Sequence, residues 1–215
     1  MKGLLIKDLE LARVQKKIFG TNLVVWIILS VTSGVAFATA YLIILCTMFV
    51  ITTVYYDEFE NGYSYLMTLP IQRKDYVKEK YLFGLLIAFC VCVISMGIQF
   101  VFNWKEEISI SEILGTSIIL MSVGLGMVGV MLPCVLKFGP EKGRAILFGV
   151  MGGIFGIAYF LREEIFQVGT VLLDIVSVLP DMNMATISFL ILLVVLIFYV
   201  ISCKISIGII EKKEF

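Results

Sequence analysis

Long uncharged stretches alternate with short charged segments along the 215-residue chain. Five stretches lack Asp, Glu, Lys and Arg: Ile18–Tyr56, Tyr81–Trp104, Ile113–Leu136, Ala145–Leu161 and Met184–Cys203. A membrane-spanning helix needs about 20 apolar residues. The first stretch has 39 residues, enough for two helices joined by a turn near Ser33 and Gly34. The pattern predicts an all-α membrane protein with six transmembrane helices in a single domain, residues 1–215.

The basic residues indicate an orientation for these six spans. Fifteen of the seventeen Lys and Arg residues fall on one side of the membrane, and only Lys105 and Arg162 fall on the other. Basic residues near span ends are retained in the cytoplasm. Both termini are therefore expected inside, in an inner membrane.

Composition supports a membrane protein and excludes several classes of function. A chain that is 60% hydrophobic needs lipid to cover its apolar surface, so membrane lipids are expected partners and nucleic acid is not. Histidine is absent, which excludes His-based metal sites and Ser-His or Cys-His catalysis. No GxxxxGK[ST] phosphate-binding loop occurs, so the chain is expected to be neither an ATPase nor an enzyme of another kind, and to hold no cofactor or metal of its own. The five cysteines lie in or at the ends of predicted spans, and no disulfide is expected.

Residues 1–17 form a polar segment that is too short to span and is typical of a helix along the membrane surface. On a helical wheel two narrow apolar stripes separate, one of them interrupted by Lys7. The interrupted stripe contains Leu4, Leu11, Val14 and Ile18, and the other contains Leu5, Leu9 and Ala12. Two stripes favour a helix wedged between the membrane and a second protein surface. The alternative is a simple positively charged anchor.

The loop at residues 57–80 is the most distinctive polar segment. It begins with Asp57 and Glu58, and Pro70 excludes the α conformation for Leu69, so a short helix, a corner and a new helix are predicted. The short helix would expose four apolar or aromatic side chains to water: Tyr63, Tyr65, Leu66 and Met67. Aromatic anchors of this kind dominate docking energies. The alternative is that these side chains sink into the lipid headgroups, where Tyr is favoured.

The sequence of this loop resembles that of small type-2 ABC exporter permeases, the six-span membrane subunits of bacterial exporters whose ATPase is a separate polypeptide. The matching positions are Tyr56, Asp57, Glu58, Leu69, Pro70, Arg73, Val77, Lys80 and Tyr81. The resemblance implies that residues 1–17 form a connecting helix on the inner membrane face. It also implies that residues 57–80, including Tyr63, Tyr65 and Leu66, form the coupling loop that sits in the ATPase. The resemblance further implies an outer segment at residues 162–183 that contains a re-entrant element.

This resemblance also defines the expected assembly. Two copies of a separate ABC ATPase would bind ATP and Mg and drive transport. Six short helices are too few to enclose a gated pathway, so a second permease, identical or homologous, is expected. Because the spans lack charge, an amphipathic or hydrophobic cargo such as a peptide, bacteriocin or antibiotic fits best. The alternative function is a non-transporting scaffold or immunity protein that binds a toxin or a signalling partner.

Glycines in the predicted fifth span indicate close helix packing. Gly149 with Gly153, and Gly152 with Gly156, form overlapping small-xxx-small pairs, and small residues let membrane helices approach closely. This surface is expected to pack inside the subunit or, alternatively, to form a dimer seam.

Overall fold

The computed structural model describes residues 2–32, 35–58, 72–102, 109–139, 142, 149 and 184–212. Within these ranges the longer segments are α-helices and no strand occurs. The helices are α1 (Lys2–Val14), α2 (Lys16–Thr32), α3 (Val35–Glu58), α4 (Arg73–Phe102), α5 (Ile110–Phe138) and α6 (Met184–Lys212). The all-α prediction is confirmed for this part of the chain. The predicted fifth span and the outer segment at 162–183 lie outside the described residues.

Local sequence accounts for two of the helix ends. Ser109 precedes α5, and its hydroxyl accepts a hydrogen bond of 3.3 Å from the backbone N–H of Glu112. Ser and Glu at this spacing are the sequence signature of a capping box, and the Ser109 hydroxyl satisfies one of the backbone donors that the first turn leaves free. At the other end of α5, Gly139 has φ +80°, a conformation that residues with a side chain rarely adopt.

Four of the described helices, α3 to α6, are long and apolar enough to cross a membrane. In the 39-residue uncharged stretch, α2 ends at Thr32 and α3 begins at Val35, and the turn predicted near Ser33 and Gly34 lies outside the described residues. Helix α2 has 17 residues, at the short limit for a span. Helix α4 has 30 residues, about 45 Å, against a hydrocarbon layer of about 30 Å. Its charges are confined to residues 73–80, so this first part lies outside the membrane-crossing segment, which begins at Tyr81.

Contacts between the helices fix their directions. Helices α4 and α5 are antiparallel, because Gly84 lies against Val128 and Ser95 lies against Ser117. Helices α5 and α6 are parallel, because Gly115 contacts Met184 and Gly129 contacts Phe198. The C-termini of α3, α5 and α6 therefore meet the N-terminus of α4 at one end of the bundle, which we call the lysine-rich end.

Close helix contacts are made at glycines of α4 and α5. A Cβ placed on Gly84 would lie 2.8 Å from the Tyr199 hydroxyl and 3.0 Å from a Val128 methyl group, and one on Gly129 would lie 3.1 Å from Phe198. These distances are too short for a side chain, so the absence of one allows α4, α5 and α6 to pack tightly. Of the glycines predicted to pack, Gly149 has no described atom within 4 Å of such a Cβ. The other three, Gly152, Gly153 and Gly156, lie outside the described residues.

A polar network joins α4 and α5 away from the lysine-rich end. Gln99 donates hydrogen bonds to Ser95 (3.0 Å) and Ser117 (3.3 Å), and its carbonyl oxygen accepts one from Thr116 (2.8 Å). Polar side chains are costly in lipid unless they bond to each other. This network therefore holds the two helices in register.

We expect Gly84→Ala to lower the free energy of unfolding by about 1–3 kcal/mol, because the added methyl group overpacks the contact with Tyr199 and Val128. Thermal unfolding in detergent measures the change. The matched control is Gly97→Ala on the same helix, where a Cβ meets no atom within 4 Å and alanine favours the helix. Equal losses in both variants would contradict this packing.

Candidate functional site

The inner face of α1 combines an apolar and a charged side chain. Leu4 and Asp8 are both buried and lie one helical turn apart, and Leu11, one turn further, packs against the core of the bundle. Lys7 is partly exposed, at 36%. Val14 faces outward with 79% of its surface exposed. Leu4 and Leu11 of the predicted stripe therefore lie on the packed face, and Val14 does not.

Lys80 of α4 is the centre of the site and is completely buried. Its Nζ lies 2.5 Å from Asp8 Oδ2 on α1, 2.8 Å from Asp57 Oδ2 on α3 and 3.0 Å from the Thr53 hydroxyl. It also lies 5.5 Å from the centre of the Tyr76 ring. One ammonium group thus joins three helices.

Asp57 provides a second connection between the same helices. It accepts a hydrogen bond from Lys7 of α1, and its Oδ2 accepts one from the Tyr76 hydroxyl of α4 at 3.1 Å. Lys7 also lies 3.5 Å from Asp8. Buried Glu79 completes the group beside Lys80, 3.9 Å from its Nζ. We refer to Lys7, Asp8, Asp57, Glu79 and Lys80 as the ionic cluster.

The charge of Lys80 is stabilised by this arrangement. Burial alone would lower the pKa of the ammonium, but Asp57, Asp8 and Glu79 outweigh it and raise the pKa above its ordinary value. Lys80 therefore remains charged at neutral pH. The stability of this buried arrangement depends on every charged member. Removing one of them would leave the opposite charge buried and uncompensated. Among the described residues, no group of acidic and Cys side chains has the arrangement of a metal site.

Tyr81 and Val77 face the interior of the bundle. Val77 belongs to the hydrophobic core. The Tyr81 hydroxyl lies 2.7 Å from the hydroxyls of both Ser202 and Ser206 on α6, and its backbone carbonyl accepts a 2.7 Å hydrogen bond from Tyr199. These hydrogen bonds hold α4 against α6 at Tyr81, the residue that follows Lys80.

The first turn of α4 contacts the end of α6. Arg73 donates a 3.4 Å hydrogen bond to the backbone carbonyl of Glu211, and Lys74 lies 3.1 Å from the Glu211 carboxylate. Glu58, at the end of α3, lies near Gly139 at the end of α5. These contacts surround both ends of the segment that connects α3 to α4.

The structure thus brings together Lys7, Asp57 and Lys80 of the predicted site residues, with Arg73, Val77 and Tyr81 on the same helix as Lys80. The remaining positions in the loop lie outside the described residues: Tyr63, Tyr65, Leu66, Leu69 and Pro70. Sequence reasoning did not select Asp8 or Glu79. Asp8 has a usable signal, because it follows Leu4 by one helical turn on the face expected to be packed.

Comparison with known proteins gives one match. The family model described as ABC-2 family transporter protein matches residues 3–211, nearly the whole chain. The chain belongs to this family. The family resemblance inferred from the loop is therefore confirmed, and the chain is a membrane permease of the ABC-2 type, a class that generally works with an ABC ATPase. No curated protein and no solved structure matches the chain.

Replacing Lys80 by Met should lower the free energy of unfolding by about 3–5 kcal/mol, because the change leaves Asp8 and Asp57 as buried charges. Adding Asp57→Asn should recover part of the loss by removing one of these charges. Unfolding of the purified permease in detergent measures both effects.

The matched control is Lys74→Met on the same helix. Its ion pair with Glu211 is exposed on both sides, so its loss is expected to cost less than about 1 kcal/mol. A Lys80→Met variant as stable as the control would show that the ionic cluster does not hold the helices together.

Proposed function

We propose that the chain is the membrane subunit of an ATP-driven exporter in a bacterial plasma membrane, with the lysine-rich end facing the cytosol. Two copies of a separate ABC ATPase would bind ATP and Mg and act on this end. The observation that carries the proposal is the ionic cluster in a chain of the ABC-2 family. It ties α1 to α3 and α4, the two helices between which the coupling loop lies.

The cluster supports a mechanical role for α1 and the loop. A displacement of the loop between Glu58 and Arg73 acts on the end of α3 and the start of α4 together. Asp57 and Lys80 connect both helices to α1 through charge-assisted hydrogen bonds, which are stronger than neutral ones. The three helix ends would therefore move as one body when the ATPase subunits close, and the apolar parts would shift between inward and outward openings.

An apolar cavity supports an amphipathic or hydrophobic cargo. The cavity has a volume of about 420 Å³ and lies between α2, α3 and α4, within the size range of small-molecule sites. Its lining includes Leu23, Trp26, Leu45, Phe49 and Ile94, with Asn22 as a polar member. The sequence predicts a pathway lined by spans one, two and five. The described lining comes from α2, α3 and α4, with Ala12 of α1, and the predicted fifth span lies outside the described residues. A peptide, bacteriocin or antibiotic is the proposed cargo class.

The proposal includes a second permease. The cavity is lined by helices of one subunit, and a pathway with two gates needs further helices. An identical or homologous chain would supply them.

The proposed orientation predicts which side of the membrane a reagent reaches. Single cysteines at Lys74, Lys137 and Lys204 should react only when the inner face is accessible, and one at Glu112 should react from outside. Membrane-impermeant maleimide, applied to intact cells and to inverted vesicles in a cysteine-free background, measures this. Labelling of the Lys74 and Glu112 positions from the same side would contradict the topology.

The proposed coupling predicts distinct effects of loop variants. Tyr65→Ala with Leu66→Ala removes two anchors and should weaken ATPase binding about thirtyfold or more, equivalent to about 2 kcal/mol. Arg73→Ala should leave the ATPase bound and lower transport-linked hydrolysis, because Arg73 positions α4 against α6. Co-purification from native membranes and ATP hydrolysis by the assembled complex measure these effects.

The control for the loop variants is Tyr56→Ala with Leu86→Ala, which removes similar side chains from exposed sites on α3 and α4. This variant should keep the ATPase bound. Full assembly and full export by the Tyr65 and Leu66 double variant would leave these side chains as lipid anchors only.

A further inference from the structure

Glu79 is a buried acid that the ionic cluster does not satisfy. Its side chain is completely buried, and neither carboxyl oxygen has a hydrogen-bond partner among the described residues. The nearest cation, Lys80 Nζ, lies 3.9 Å away, which is beyond hydrogen-bond distance. Asp8 is buried beside it, and Asp8 Oδ1 also has no hydrogen-bond partner in this part of the chain. Among the described residues, Glu79 thus lies beside Asp8 without a hydrogen-bond donor, and the nearest cation to Asp8 Oδ1 is Lys7, at 3.5 Å.

The charges of the ionic cluster do not balance, and one positive charge is missing. Two bases, Lys7 and Lys80, face three acids, Asp8, Asp57 and Glu79, so full ionisation leaves a net charge of −1 (2 − 3). One added proton brings the buried group to neutrality and supplies the missing donor. We propose that Glu79 and Asp8 form a proton-binding site, in which a proton on Glu79 is donated to Asp8 and holds α1 against α4.

The electrostatic surroundings agree with this geometry. Burial, opposed by the charge of Lys80 and reinforced by that of Asp8, raises the pKa of Glu79 from 4.5 to about 7. Lys7 from α1 lowers the pKa in part, and the hydrogen bond that protonated Glu79 can donate to Asp8 raises it further. Asp57 from α3 is occupied by Lys7, Lys80 and the Tyr76 hydroxyl. The site therefore exchanges its proton near neutral pH and lies in the part of α4 outside the membrane-crossing segment.

The direction of the effect follows from linkage. When α1 leaves α4, water reaches Glu79 and its pKa returns towards the ordinary value. The docked state thus binds the proton more tightly, and docking is favoured at low pH. The stabilisation of the docked state by Glu79 is complete below about pH 4.5 and is lost above about pH 7. Between these values the equilibrium constant for docking falls by up to about tenfold per pH unit. The proposal concerns the isolated chain and stands independently of the proposed transport function.

Infrared difference spectroscopy of the purified chain in lipid nanodiscs tests the proton site directly. We expect the carbonyl band of a protonated carboxyl group to disappear with a midpoint near pH 7. Glu79→Gln, which imitates the protonated group, should abolish this band. Glu10→Gln, the same change at an exposed residue of α1, should retain it. A band that persists in Glu79→Gln, or a midpoint near that of exposed carboxyl groups, would overturn the proposal.

Spin labels test the consequence for α1. In a cysteine-free background, exposed positions Leu9 on α1 and Lys204 on α6 take the labels. The distance distribution between them should broaden as the pH rises from 5 to 8. It should stay narrow in Glu79→Gln at every pH and behave like the unsubstituted chain in Glu10→Gln. An identical distribution at all pH values in the unsubstituted chain would contradict the role of the proton in docking.

Discussion

The burial of one lysine determines how this end of the permease is built. The Lys80 ammonium has no access to water, so it requires carboxylates within hydrogen-bond distance, and these come from two other helices. Asp8 brings α1 to it, and Asp57 brings the end of α3. Because an isolated buried charge is prohibitively costly, the contacts of Lys80 stabilise the three helices together. The amphipathic N-terminal helix is thereby a structural part of the bundle rather than an appendage on the lipid surface.

Within the membrane, removal from water does not drive helices together, because lipid is as apolar as the helix surfaces. Close packing and hydrogen bonds stabilise the helix contacts there. Gly84, Gly115 and Gly129 allow helix backbones to approach closely. Hydroxyl and amide groups satisfy each other across the same interfaces, as Gln99 does with Ser117. The packing thus changes from ionic at the lysine-rich end to close contact and neutral hydrogen bonds along the spans. A stiff ionic end joined to closely fitted helices is suited to transmit a displacement from the loop.

The helices were predictable from sequence because the bilayer imposes a local rule, the exclusion of charge over about 20 residues. The site was only partly predictable. Lys78 and Lys80 look alike in the sequence, yet one is exposed and the other buried. The side chain of Lys80 extends from α4 to Asp8, which lies 72 residues earlier in the chain, and the side chain of Lys78 does not. The family resemblance selected Asp57, Val77, Lys80 and Tyr81, but it did not show that the last three face into the bundle. Glu79 was missed because a carboxylate beside lysines resembles an ordinary exposed charge.

The contacts of Tyr81 also impose an order on biogenesis. This residue begins the membrane-crossing part of α4, but the groups that bond to it, Ser202, Ser206 and Tyr199, belong to the last helix. During synthesis the first helices therefore enter the membrane with the Tyr81 hydroxyl lacking its final partners, more than 100 residues before those partners are translated. A chain that stops before α6 leaves this hydroxyl without these partners, so α4 and α5 reach their final packing only after α6 has been made.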